Sequence, residues 1–293
     1  MLHKAGFISI IGKPNVGKST LLNALSGEAL SVVTHKAQTT RHRIRNIVSG
    51  ENFQLIFSDT PGMMEPAYLL QEKMMNFVKA ALEDADLLLV MLEVGDKNKD
   101  EKFVEAVRAS GKKIILLLNK VDLSDQKMVE EAVEYWQKIL QPIRLFPVSA
   151  LHKFGMEELM KALILEIPES PAYFPKDQIT DLSERFFVAE IIREKILKYY
   201  HAEIPYSVQV VTESFKEEEN IIKINVVIYT EKESQKNILI GPKGAAIKQV
   251  GVQARKSIEL FVKKKIYLEL LVKVKENWRN RENELKGFGY TES

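Results

Sequence analysis

Up to about residue 170, apolar and polar positions follow two alternating regimes. Apolar runs at 87–92, 114–118 and 145–148, and at 7–11 with a single interruption at Ser9, have the length of strands and no polar face, as expected of strands buried on both sides of a parallel sheet. Between them, 18–25, 70–82, 100–109, 127–140 and 156–165 repeat apolar residues at helical spacing, so each predicts a helix with one buried face. Residues 44–48 and 53–57 flank Ser49-Gly50-Glu51-Asn52 and read as a hairpin, which adds one antiparallel strand at a sheet edge. The expectation is an α/β domain with a mixed, mostly parallel six-stranded sheet and helices on both faces.

Prolines at 168, 171 and 175 end this pattern. The expected division is a first domain over 1–170, a linker over 171–180 and a second domain with a C-terminal tail over 181–293. In the second domain Asp181-Leu182-Ser183-Glu184 resembles a capping box. It would open a helix to about Tyr200 with Phe187, Ile191, Ile192 and Leu197 on one side. Strands follow at 208–211 and 222–228, then a helical stretch reaching Ile240. After Gly241-Pro242-Lys243-Gly244 comes a helix over 245–262, and Ile266, Leu268, Leu270, Val272 and Val274 alternate as a last strand. The order helix, strand, strand, helix, loop, helix, strand describes an α+β fold. Neither internal repeats nor low-complexity tracts occur.

Composition narrows the chemistry. The chain has no cysteine, which excludes disulfides, thiolate catalysis and cysteine-based zinc sites. His35, His42, His152 and His201 show no metal-ligating spacing. The longest apolar run, 87–92, falls far short of the roughly 20 residues that span a membrane, and the first residues show no secretory signal. A cytoplasmic protein is expected. Charge is uneven: between Lys236 and Lys286, 13 Lys and Arg face 5 Asp and Glu, a net of +8, against −6 for all other residues. Such an excess suits a polyanion, nucleic acid before membrane, although a lysine run is also compatible with a solvated surface.

Three motifs carry the chemistry of the first domain. Residues Gly12 to Ser19 read Gly-Lys-Pro-Asn-Val-Gly-Lys-Ser, a phosphate-binding loop whose main-chain N–H groups from Asn15 through Val16 and Gly17 to Ser19 would face a polyphosphate. Lys18 would reach its β/γ-phosphates and Ser19 would ligate Mg²⁺. Asp59-Thr60-Pro61-Gly62 places a carboxylate to hold the metal through water and, in Gly62, a main-chain N–H for the γ-phosphate. Asn119-Lys120-Val121-Asp122 selects the base: a carboxylate at Asp122 accepts from guanine N1–H and its amine, whereas adenine would leave it unpaired. These motifs fall at predicted strand ends, where open α/β sheets bind ligands.

Together with Gln38-Thr39-Thr40-Arg41-His42-Arg43 and Ser149-Ala150-Leu151, these residues make the chain resemble the translation-factor-related P-loop GTPases. Within them it is similar to the branch containing Era and the tRNA-modification GTPase TrmE, and over its whole length to the Era family. The resemblance implies that GTP or GDP is held by Gly12, Asn15, Val16, Gly17, Lys18, Ser19, Thr20, Asn119, Lys120, Asp122, Ser149, Ala150 and Leu151. It implies Mg²⁺ ligation by Ser19, Thr40 and Asp59, with Thr40 rather than Thr39 the switch threonine, and K⁺ coordination near Asn15. Without it, Asn15 reads equally as a turn residue and Ser149-Ala150 as a plain strand end. Lys18, Thr40, Asp59 and Gly62 are the expected catalytic residues. Met63 stands where many regulatory GTPases carry a water-orienting glutamine, and a thioether cannot do that work, so slow intrinsic hydrolysis is expected.

In the second domain Gly241-Pro242-Lys243-Gly244 has the form with which a K-homology fold clamps single-stranded nucleotides. The resemblance agrees, implying a type II K-homology domain. Ile240, Gly241, Pro242, Lys243, Gly244, Lys248 and Arg255 are the expected RNA-binding residues, and Arg279 and Arg281 with Trp278 could extend the path. Trp278 reads as core more readily than as a stacking residue, and Lys263-Lys264-Lys265 equally as a solvated turn. The implied partner is the 3′ end of 16S rRNA in the 30S subunit, the implied role is small-subunit maturation, and a monomer with peripheral association at the inner-membrane surface is expected. Two other readings are a GTPase acting on another RNA, of the tRNA-modification type, and an RNA-binding module with a regulatory nucleotide site.

Overall fold

The structure, a computed structural model, describes residues 2–27, 31–34, 36, 38–96 and 101–291. The chain forms two compact units, Met1–Glu65 with Met74–Asp181, and Pro66–Lys73 with Leu182–Ser293. From its N-terminus the chain forms β1 (Lys4–Ile11), α1 (Lys18–Ser26), β2 (Ile44–Ser49), β3 (Phe53–Asp59), α2 (Leu69–Asp84) and β4 (Leu87–Glu93). Then follow α3 (Glu101–Ala109), β5 (Lys113–Asn119), α4 (Gln126–Leu140), β6 (Arg144–Pro147) and α5 (Met156–Glu166). Residue 100, expected to open α3, lies outside the described residues.

The sheet order is β2-β3-β1-β4-β5-β6, parallel throughout except for β2 against β3. Strand β4 shows why its run is unbroken. Leu87, Leu89 and Met91 pack with Leu21, Leu22 and Leu25 of α1 and Leu159 and Leu163 of α5. On the other face Leu88, Val90 and Leu92 pack with Val78 of α2, Phe103 and Val107 of α3, and Trp136 and Leu140 of α4. Burying each such side chain contributes about 1.5–3 kcal/mol, so a polar residue at either parity would be excluded. Residues 171–181 do not hang free. The buried Gln54 side chain accepts from the N–H groups of Tyr173 and Phe174 and donates to the Phe174 carbonyl. Ile47 N–H donates to Ile179 and the Thr180 hydroxyl to Arg45, so this segment covers the edge of β2, which would otherwise expose its ladder groups.

The second unit contains α6 (Glu184–Tyr199), α7 (Ile204–Ser207), β7 (Gln209–Glu217), β8 (Ile222–Thr230), α8 (Glu233–Ile240), α9 (Ala245–Val262), β9 (Ile266–Val274) and α10 (Glu282–Gly287). Its sheet runs β7-β8-β9, with β7 antiparallel and β9 parallel to β8. Ile222, Ile224, Val226 and Ile228 of β8 form the core with Ile192 and Ile196 of α6 and Val250, Ala254 and Ile258 of α9. The expected capping box does not form. Ser183 precedes α6 but its side chain caps nothing, and Asp181 is drawn instead into an ion pair with Arg45 at 3.0 Å. Among the described residues no helix is long and apolar enough to cross a membrane.

Candidate nucleotide and RNA sites

The glycine-rich loop leaves β1 and opens α1, so Lys18 and Ser19 occupy the first turn of a helix whose free N–H groups face the loop. Lys18 is buried, and its ammonium donates to the carbonyls of Gly12 at 3.0 Å and Lys13 at 2.9 Å. Burial pushes its pKa down to about 8, partly offset by Asp59. The Asp59 carboxyl, also fully buried, is pushed up by burial, opposed by the charge of Lys18 and by the hydroxyls of Ser19, Ser31 and Thr40.

Three oxygens converge here. Ser19 Oγ donates to Asp59 Oδ2 at 2.9 Å, Thr40 Oγ1 lies 3.3 Å from the same oxygen, and the two hydroxyls are 3.1 Å apart. Asp59 Oδ1 is buried with no hydrogen-bond partner. Thr39 turns elsewhere: its hydroxyl donates to the Lys36 carbonyl at 2.6 Å and pairs with Thr34 at 2.8 Å. Among the described residues no cluster of three or more His or acidic residues could bind a metal, so the Ser19, Thr40 and Asp59 set, completed by phosphate oxygens, is the arrangement that fits a hard divalent cation. Gly62 presses against the loop from the other side. A Cβ there would lie 2.6 Å from Pro14 N, a contact that any side chain would break. Asn15 sits at φ 65°, the left-handed conformation that asparagine tolerates.

The base-reading motif is tied to the phosphate loop. Asn119 Nδ2 donates to the Val16 carbonyl at 2.7 Å and Asn119 Oδ1 accepts from the Ala150 N–H at 2.9 Å. Lys120, at φ 64°, pairs with Glu93 at 2.6 Å. The Ser149 hydroxyl holds the Asp122 carboxyl below the usual carboxylate range, helped by His152 and Lys120. His152 lies 3.8 Å from Asp122 and Leu151 is exposed. The sequence marks His152 only as an ordinary surface or loop histidine and assigns no role to Ser31, which is buried. His35 lies outside the described residues.

In the second unit, Gly241 to Gly244 join α8 to α9. Gly241 adopts φ 71°, and a Cβ there would lie 2.7 Å from that of Ala246, so the tight approach of loop to helix requires glycine. Lys243 is exposed and left-handed, at φ 50°. Beside the loop runs a groove lined by Ile247, Lys248, Gly251, Val252 and Arg255 of α9 and by Leu268 and Leu270 of β9. Its floor is apolar and its rim basic, the form that receives splayed bases and their phosphates. In the tail, Trp278 takes the core position that its sequence reading favoured, and Arg281 is exposed. Trp278 is fully buried and donates to the Ser207 carbonyl at 3.0 Å, while the charge of Arg279 is taken by Glu231. Lys264 pairs with Glu217 at 3.0 Å.

A mostly parallel sheet that delivers a phosphate loop, a metal-fitting trio and a guanine-reading motif to one edge, joined to this groove-bearing unit, defines a P-loop GTPase with a K-homology domain. Residues 7–120 match the family described as 50S ribosome-binding GTPase and residues 203–279 the KH domain family. The chain is 44% identical to GTPase Era of Syntrophus aciditrophicus, covering 100% of this chain and 97% of that one, and 40% identical to GTPase Era of Alkaliphilus metalliredigens over 99% and 100%. It belongs to the Era GTPase family and hydrolyses GTP to GDP and phosphate. Its structure is similar to that of an Aquifex aeolicus Era variant bound to GDP·AlF4⁻, with a TM-score of 0.94, 37% identity and coverage of 98% and 99%. It is equally similar to an Era in complex with MgGDPNP and nucleotides 1506–1542 of 16S ribosomal RNA, with a TM-score of 0.95, 37% identity and coverage of 99% of both chains.

Proposed function

We propose that this chain is a GTP-driven switch that binds the 3′ end of 16S rRNA and assists assembly and maturation of the small ribosomal subunit. The observation that carries the proposal is the presence in one chain of the Ser19, Thr40 and Asp59 oxygens beside the phosphate loop and of the Gly241 to Gly244 loop beside a basic-rimmed groove. A relative 37% identical over 99% of this chain was solved with both ligand types bound.

Lys18 and the N–H groups of Asn15, Val16, Gly17, Ser19 and Thr20 hold the phosphates, and Asp122 reads the guanine edge with Asn119 fixing both loops around it. Ser19, Thr40 and Asp59 would hold Mg²⁺, which when bound supplies positive charge opposite the phosphate oxygens. Gly62 presents its main chain to the γ-phosphate side of the loop. Met63 has no polar group to orient a water, and its own N–H is spent on the Gly12 carbonyl at 3.2 Å, so unassisted turnover is slow. Asn15 supports K⁺ coordination beside the phosphates. Turnover that is the same in K⁺ and Na⁺ would remove that part of the proposal. The setting is the cytoplasm and the cytoplasmic face of the inner membrane, where the chain acts as a monomer. Ile240, Lys243, Lys248 and Arg255 engage the RNA.

Lys18→Ala separates a switch from a passive RNA-binding module. A switch binds the 16S 3′ end with different affinities in its GTP-analogue and GDP states and loses that difference in the variant. A passive module shows one RNA affinity throughout.

A further inference from the structure

Resting on the reading of this sheet edge as a guanine-nucleotide site, we propose that Glu93 and Asp96 are positioning residues of that site. Together they hold the phosphate loop and the base-reading loop at the span of one nucleotide. Glu93 Oε2 pairs with Lys120 Nζ at 2.6 Å, and Asp96 Oδ2 with Lys13 Nζ at 3.1 Å. Lys120 belongs to the base-reading motif and Lys13 to the phosphate loop. Two carboxylates three residues apart therefore reach the two loops that a nucleotide must touch at once.

The carboxylates share one support. Glu93 ends β4 and lies in register with Asn119 of β5, and the Val94 N–H donates to the Asn119 carbonyl at 3.1 Å. The Asp96 N–H donates to the Glu93 carbonyl at 3.1 Å, closing a turn through Gly95 at φ 89°, a conformation that favours glycine. Strand β4 also backs the phosphate loop: a Cβ at Gly12 would lie 2.4 Å from the Met91 carbonyl oxygen. The Lys13 carbonyl accepts from Lys18 at 2.9 Å, so the residue that Asp96 holds by its side chain holds the phosphate-binding ammonium by its main chain. The side chains of Lys13 and Asp96 are 20% and 18% exposed, those of Lys120 and Glu93 30% and 40%. The first pair is the better shielded from salt and contributes more. Loops fixed at the right span before binding lose less freedom when the nucleotide arrives, and the gain shows as slower release.

The test is the release of a fluorescent GDP analogue from the full chain, chased with unlabelled GDP. Glu93→Gln is expected to speed release roughly 3-fold and Asp96→Asn roughly 5-fold, the scale of a lost, partly buried ion pair. On a Lys120→Gln background Glu93→Gln should add nothing, and on a Lys13→Gln background Asp96→Asn should add nothing. Single-turnover hydrolysis of GTP already bound should change by less than about 2-fold in the acid variants, because the effect lies in holding the nucleotide and not in cleaving it. Unchanged release in either acid variant overturns the two-ended arrangement, and so does a full further loss on the lysine backgrounds. A fall in hydrolysis as large as the gain in release also overturns it, since that marks a general loosening of the domain. Asp122→Ala is the control for the underlying reading. If it leaves release unchanged, the guanine site itself is misassigned; if it speeds release while both acid variants match the wild type, only the role of Glu93 and Asp96 fails. Thermal melting without nucleotide reports folding, and release from a variant that melts early is read well below its transition.

Discussion

Asn119 Nδ2 donates to the Val16 carbonyl oxygen at 2.7 Å, so the residue that opens the base-reading motif also holds the middle of the phosphate loop. Its other amide atom accepts from Ala150, and one side chain therefore joins three loops. Asn119→Ala orphans a buried carbonyl and a buried N–H, each at a cost of about 1–3 kcal/mol. GDP and GTP affinities should fall together by roughly 10- to 100-fold or more, measured by calorimetry. A change in base preference without a general loss would contradict this role.

The Asp122 carboxyl is held down chiefly by the Ser149 hydroxyl. A carboxyl whose pKa is depressed stays ionised, and able to accept from guanine, at pH values where an ordinary one is protonated; that benefit is lost as pH falls through the depressed range. Ser149→Ala moves the pKa back up. Its GDP affinity should begin to fall at a higher pH than that of the wild type when titrated from pH 7 downward, with the two curves meeting near neutrality.

In the second unit, Tyr200 donates to the Leu239 carbonyl at 2.6 Å, and burial pushes its pKa from 10.0 up to about 12. A group raised in the folded state contributes stability that is fully present below its unfolded pKa and is lost as pH rises through the folded one. The window is therefore pH 10 to about 12. Tyr200→Phe should cost about 1 kcal/mol near neutrality, and the gap to the wild type should shrink in denaturant melts at high alkalinity.

Gly241 and Gly244 both have positive φ, but only a Cβ at Gly241 meets another atom. Gly241→Ala should therefore weaken binding of a short single-stranded RNA more than Gly244→Ala does. The first must displace the start of α9, whereas the second pays only for its backbone conformation, about 1 kcal/mol. Equal losses, read by fluorescence anisotropy, would count against the clamp geometry.

Much of this was legible in the residues, for identifiable reasons. Strands β4 and β5 are covered on both faces, so their runs are continuous, and the motifs at the ends of β1, β3 and β5 are short and contiguous. What escaped depends on contacts between distant residues. Strand β7 was expected over only 208–211 because its register shifts between Thr212 and Ser214, which breaks the alternation. The capping box expected over Asp181 to Glu184 does not form: Arg45, 136 residues from Asp181, takes that carboxylate. That Glu231 pairs with Arg279, 48 residues apart, could not be seen from the tail's sequence either.

The central claim is that GTP turnover and RNA binding are coupled in this chain. It is tested most directly by single-turnover GTP hydrolysis with and without a short oligonucleotide copying the 3′ end of 16S rRNA. Hydrolysis should be slow alone, clearly accelerated by that RNA, and not accelerated by a scrambled sequence of the same length. Binding of neither RNA together with an unchanged rate would contradict it.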